Sequence, residues 1–177
     1  MTNYRRSRIE GGTYFFTVAL AIRSSTLLTD RIDVLGAAFR YAQVRHPFAS
    51  EAVVVPPDHL HALWILPPGD EDYSTRWRLI KTEFSRAIPA GENRTASREA
   101  KSERGIWQWR YWEHLIRDEA DFARHVDYIH YNPVKHGHAQ RVVQWRHSSF
   151  HRYVRSGILP VDWGAGGVSE QGEFGES

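Results

Sequence analysis

Ala52-Val53-Val54-Val55-Pro56-Pro57-Asp58-His59-Leu60-His61-Ala62-Leu63-Trp64-Ile65-Leu66-Pro67 is the stretch on which the fold turns. Two runs of apolar and β-branched residues, Ala52–Val55 and His59–Leu66, flank the turn-forming triplet Pro56-Pro57-Asp58. That is the pattern of two antiparallel strands joined by a tight turn. Alternation along the second strand puts His59 and His61 on one face and Leu60 on the other.

Upstream, Thr13-Tyr14-Phe15-Phe16-Thr17-Val18-Ala19-Leu20 reads as a strand entered through the Gly11-Gly12 turn. Leu27 to Arg45 reads as a helix opened by Thr29 or Asp30, with Ile32, Leu35, Ala38, Phe39 and Ala42 at helical spacing and Pro47 ending it. Downstream, Ser74 is expected to cap a helix to about Ala87, with Trp77, Ile80 and Phe84 on one side. Pro89 to Gly105 is polar and glycine-containing and is expected to be a mobile loop. Tyr111–Ile116 reads as a fourth strand. Asp118 caps a helix from Glu119 to Asn132, which Pro133 is expected to stop. The order β-α-β-β-α-β-α predicts an α+β, ferredoxin-like antiparallel sheet with helices on one face and a C-terminal extension. We expect one domain over residues 1–163 and a disordered acidic tail over 164–177.

Composition narrows the class. Of 177 residues, 41% are hydrophobic and 25% charged, as in ordinary globular proteins. No apolar run is long enough to span a membrane, and no cleavable leader is evident. The absence of cysteine excludes disulfides, thiolate zinc sites and cysteine nucleophiles, so the cytoplasm is the expected location. The tail holds Glu170, Glu173 and Glu176 and no basic residue, so the rest carries 23 basic against 18 acidic side chains. A basic body with seven Trp and eight Tyr suits single-stranded nucleic acid, where rings stack on bases and Arg neutralises phosphate.

The histidine pair suggests a metal site. Residues i and i+2 of a strand lie roughly 6.5–7 Å apart. Two imidazoles can then converge on one cation through bonds of about 2.1 Å. A pair of hydrogen-bonded histidines fits the same pattern. On the last helix Phe122, Val126 and Ile129 form an apolar stripe, and Asp121, His125, Tyr128 and Asn132 cluster beside it. A tyrosine phenol, with a reference pKa of about 10, is a weak nucleophile unless a neighbouring cation helps it. Tyr128 beside the histidines would have that help; alone it would read as a core tyrosine.

These residues resemble the HUH endonucleases, and longer stretches resemble the REP-associated tyrosine transposases. The matching stretches include Tyr4-Arg5-Arg6, Gly11-Gly12-Thr13-Tyr14-Phe15-Phe16-Thr17-Val18, Pro57-Asp58-His59-Leu60-His61, Ser74-Thr75-Arg76-Trp77, Trp112-Glu113-His114 and Asp127-Tyr128-Ile129-His130-Tyr131-Asn132-Pro133. The resemblance runs almost to Trp163. It implies a single-stranded DNA endonuclease and strand transferase acting at palindromic hairpins through a 5′-phosphotyrosine. It further implies Tyr128 as nucleophile, His59, His61 and Asn132 as metal ligands, and Mg²⁺ or Mn²⁺ as the ion. Ligand chemistry alone would also admit zinc. The segment between Ile88 and Gly105 is longer than in compact members of that family.

Candidate DNA contacts are Arg5 and Arg6 at the N-terminus, Arg76, Arg78, Lys81 and Arg86 on the second helix, and the run Trp109-Arg110-Tyr111-Trp112. The sequence leaves open a non-catalytic DNA-binding regulator of the same fold and a nuclease that activates water. It carries no signature of an oligomer interface.

Overall fold

Aromatic and β-branched residues at nearly every position make Thr13–Ala19 a strand that can be buried on both faces, and this is β1. The computed structural model describes residues 8–91, 104–168 and 174–175. β2 (Ala49–Val54), β3 (His59–Ile65) and β4 (Trp112–Leu115) complete an antiparallel sheet in the order β2-β3-β1-β4, as the ferredoxin-like plan requires. The register pairs Thr17 with His61 and with Trp112, Phe15 with His114, and Ala19 with His59.

The expected first helix is two. α1 (Leu27–Asp30) and α2 (Ile32–Arg45) are broken at Arg31, which leaves helical geometry at φ −124°, ψ 37°. The Asp30 side chain accepts from the Thr26 hydroxyl and caps neither helix. α3 (Tyr73–Ala87) starts one residue before Ser74 and is capped by Asp72, which accepts from the Thr75 amide. α2 and α3 cover one face of the sheet over Tyr14, Phe16, Val18, Leu60, Ala62 and Trp64. Trp64 stacks on Trp77 at 4.3 Å and lies 4.1 Å from Phe48.

α4 (Glu119–Lys135) lies on the other face, over Phe15, Ala52, Val54 and Leu63, so the helices are not confined to one face as expected, because its apolar stripe also needs a sheet face to cover. Asp118 caps it as the sequence predicted, accepting from the Asp121 amide at 2.8 Å. Pro133 does not stop it. The donor at residue 133 is lost, yet the helix runs on to Lys135, and the His136 amide reaches Asn132 O. Beyond α4 the chain forms a 3₁₀ turn (Val142–Gln144) and α5 (Phe150–Arg155). The link between them seals the β2 edge: Ser149 N donates to Val53 O, Val55 N to His147 O, and Val53 N to Ser149 Oγ.

Among the described residues no helix is long and apolar enough to cross a membrane. The expected loop 89–105 lies outside the described residues from 92 to 103, and so do Arg5 and Arg6. At the loop's downstream end, Arg104 donates to the carbonyls of Ser85, Ile88 and Pro89, tying residue 104 to the end of α3.

Candidate active site

His59 and His61 stand at the start of β3, both buried on the α4 side, with ring centroids 5.0 Å apart. Their neighbours fix their tautomers. His59 Nδ1 lies 2.8 Å from the Asp58 carboxylate, which can only accept, so Nδ1 carries the proton and Nε2 the lone pair. Arg23 holds the other Asp58 oxygen at 2.9 Å. The Thr17 hydroxyl gives its one proton to the Phe174 carbonyl at 2.6 Å and therefore accepts from His61 Nδ1 at 2.8 Å. His61 Nε2 is then also a lone-pair nitrogen. Two imidazoles with Nδ1 anchored and Nε2 basic are what a metal-ligating pair needs.

α4 brings Tyr128 to this pair. Its ring centroid is 5.2 Å from that of His61, and Asn132 lies one turn further along the same helix, fully buried. The Lys135 ammonium sits 4.6 Å from the centre of the Tyr128 ring. His136, just beyond the helix, is 5.9 Å from His59. Tyr131 faces elsewhere: a side chain at Gly164 would meet its Cδ2 at 3.4 Å and Val142 Cγ2 at 3.1 Å.

A carboxylate network braces the start of the helix. Asp121 accepts from His114 Nε2 (2.8 Å), the Arg117 amide (3.0 Å) and Arg124 (2.9 Å). Burial pushes its carboxyl up, but these donors and the neighbouring imidazoles hold it at about 2. His125 donates Nδ1–H to the Asp121 carbonyl at 2.7 Å, and its burial lowers its pKa. Ligand-type atoms of His114, Asp121 and His125 lie within 4.8 Å of one another. Here, however, the carboxylate oxygens already face N–H donors, and two arginines add positive charge.

Sequence reasoning missed Phe174. It belongs to the tail after Trp163. Its ring lies flat on Tyr128, 3.6 Å between centroids and 5° between planes, and it is 7% exposed. A lone aromatic among Gly and Glu residues was the available signal. Gly175 follows at φ +68°, pressed so closely on Trp112 that a Cβ would come within 2.5 Å of the indole. Only glycine fits both the conformation and the space.

The candidate DNA contacts separate into three sets. Arg78, Lys81, Arg86, Trp109 and Tyr111 line one groove of about 630 Å³ between α3 and residues 104–111, at the β4 edge. Trp109 is 72% exposed, and Arg110 is exposed beside it. Trp112 lies on the opposite, α4 face, stacked on His114. Arg76 must be corrected. It is fully buried, pairs with Asp70 (2.7 and 3.0 Å), and donates to the carbonyls of His46, Pro47 and Asp72. It faces inward from α3 and clips that helix to the end of α2, out of reach of DNA.

Comparison with known proteins accords with this arrangement. The chain is 46% identical over 169 residues to a Haemophilus influenzae protein assigned to the REP-associated tyrosine transposases, covering 93% of this chain and 94% of that one. It is 45% identical over 170 residues to the Escherichia coli REP-associated tyrosine transposase, covering 96% and 94%. The chain belongs to the REP-associated tyrosine transposases. A solved structure of such a transposase bound to a REP hairpin superposes with a TM-score of 0.80 at 42% identity, covering all of this chain and 95% of that one. No family model matches. This transposase is therefore an enzyme acting on DNA, on the α+β fold read from its sequence.

Proposed function

We propose that this transposase cuts and rejoins single-stranded DNA beside palindromic hairpins of the REP type, with Tyr128 as nucleophile. The observation that carries the reading is the meeting of Tyr128 with two imidazoles whose Nε2 lone pairs face away from their Nδ1 anchors. The hairpin ligand is carried over from the relative solved in complex with one.

His59 and His61, with Asn132, would hold a divalent cation, Mg²⁺ or Mn²⁺. This set fits better than His114, Asp121 and His125, whose carboxylate is saturated by N–H donors. Such an ion supplies charge to polarise the scissile phosphate. In the step itself the Tyr128 oxygen bonds to phosphorus and the bond from phosphorus to the 3′ oxygen breaks. The phenol proton leaves, and the 3′ oxygen departs as a hydroxyl after taking up a proton. The product is a 5′-phosphotyrosine. Attack by a 3′-hydroxyl on that ester reverses the step and joins strands without hydrolysis. Lys135 adds positive charge beside the phenol. The groove of Arg78, Lys81, Arg86, Trp109 and Tyr111 takes the hairpin, with Arg110 at its rim, Trp112 on the approach to the site, and Arg5 and Arg6 as further contacts. Phe174 covers the phenol, so DNA must lift it to react.

The test is cleavage of labelled single-stranded DNA carrying a REP hairpin, with Mg²⁺ or Mn²⁺, resolved on a denaturing protein gel. A metal-dependent covalent adduct that Tyr128→Phe abolishes is expected. Cleavage that survives Tyr128→Phe without an adduct would replace the reading with water activation. Hairpin binding with no cleavage would favour a regulator.

A further inference from the structure

The DNA path outlined above runs from the β4 edge to Tyr128. On the other side of the site a line of rings continues. His136 lies 5.9 Å from His59, His138 6.4 Å from His136, Trp145 5.5 Å from His138, and His147 5.8 Å from Trp145. Every step falls within the range of ring–ring contact. His136 and His138 are exposed, and Trp145 and His147 are half-buried.

The line ends in a second groove of about 630 Å³, at the β2 edge of the sheet. Its floor is apolar, from Ile32 and Phe39 of α2 and Val53 of β2, and Arg146, Arg152 and Arg155 stand around it. Among the described residues no carboxylate lines it. Arg152 is turned onto the carbonyls of Ser50 and Glu51. Arg146 and Arg155 are exposed and make no hydrogen bond or ion pair among the described residues. Cations without partners over an apolar floor match a strand whose phosphates need charge and whose unpaired bases need a face to lie on. A duplex would keep its bases stacked inside and leave the rings unused.

We propose that this β2-edge groove holds the single-stranded flank of the same DNA whose hairpin occupies the β4-edge groove. The strand crosses the site at Tyr128, its bases follow the rings from His136 to His147, and its phosphates reach Arg146 and Arg155. The proposal rests on the reading of Tyr128 as a DNA-cutting centre, but its test is binding alone.

The experiment uses full-length protein carrying Tyr128→Phe, so that no strand is cut. Fluorescence anisotropy is measured with a bare REP hairpin and with hairpins extended by single-stranded DNA on either side, with and without Arg146→Glu/Arg155→Glu. A flank on one side is expected to tighten binding about tenfold in the parent, and the double substitution should remove that gain while leaving the bare hairpin unaffected. Losing two single-strand phosphate contacts should lower the slope of log affinity against log salt by about 1.4. A thymine analogue placed along the flank should photocrosslink to residues 145–155. Equal gain and equal slope in both proteins would overturn the groove and leave the hairpin reading standing. Failure of the parent to bind any of these DNAs would overturn both. A gain with an RNA flank and none with DNA would overturn the assignment to DNA.

Discussion

The two faces of the sheet are built from the same four strands and differ in what they bury. Against α2 and α3 the packing is chiefly rings on rings: Trp64, Trp77, Phe16, Phe48 and Tyr73 are all buried. Arg76 is the fully buried cation at the edge of that layer, and it is saturated by one carboxylate and three carbonyls. Against α4 the sheet buries His59, His61, His125, Asp121 and Asn132 beside Phe15 and Leu63. Buried polar groups cost stability unless they are bonded. The first face is packed from rings, and the second buries the polar groups that the proposed function assigns to chemistry. Substitution should separate the two.

The largest effect is expected on the second face: Tyr128→Phe should lower strand cleavage by more than about 10³-fold, the order expected when a nucleophile is lost. Circular dichroism and thermal melting should show the fold intact, because the ring remains. On the first face, Arg76→Ala should cost about 3–5 kcal/mol by taking the charged partner from Asp70 and a donor from each of three carbonyls. Hairpin affinity per folded molecule should not change. Denaturant titration with an active-site count reads both, and a loss of affinity at unchanged stability would return Arg76 to the DNA surface.

Asp121→Asn should cost about 2 kcal/mol through the shift of its carboxyl from an ordinary 3.8 to about 2. The folded value lies below the unfolded one, so this stability is present above about pH 3.8 and is lost as pH falls through 2. The difference between wild type and variant in urea melts should therefore shrink across that window. The smallest effect is expected of Phe174→Ala, which uncovers the phenol: adduct formation should speed up a few-fold while melting moves little. Slower adduct formation would mean that Phe174 helps to hold Tyr128 in place.

The sequence predicted the four strands in their order along the chain, including the strand that carries the histidines, because period-two alternation and a tight turn are local signals. Tyr128 could be placed beside the histidines from helical spacing and one packing assumption. Arg76 could not be told from Arg78 in that way. Both belong to a basic-looking helix, and only the packing of α2 on α3 turns one inward. The break at Arg31 and the helical turn after Pro133 were hidden for a similar reason, since both depend on hydrogen bonds that a propensity argument does not count. Thr17 alternates with Phe15 toward the α4 side, but its part in setting the His61 proton needs the Phe174 carbonyl, 157 residues away.

The order of the elements along the chain also has a meaning during synthesis. β1 to β3 and α1 to α3, with most of the aromatic layer, are complete by residue 87. Tyr128 comes from the ribosome long afterwards, and the Phe174 that covers it later still. A nascent chain of this protein thus carries its histidine pair for about 67 residues of elongation before Tyr128, the proposed nucleophile, is added, at about 5–20 residues per second. A prematurely terminated product that ends before residue 128 can have the histidines and much of the aromatic layer, yet it cannot attach itself to DNA through that tyrosine.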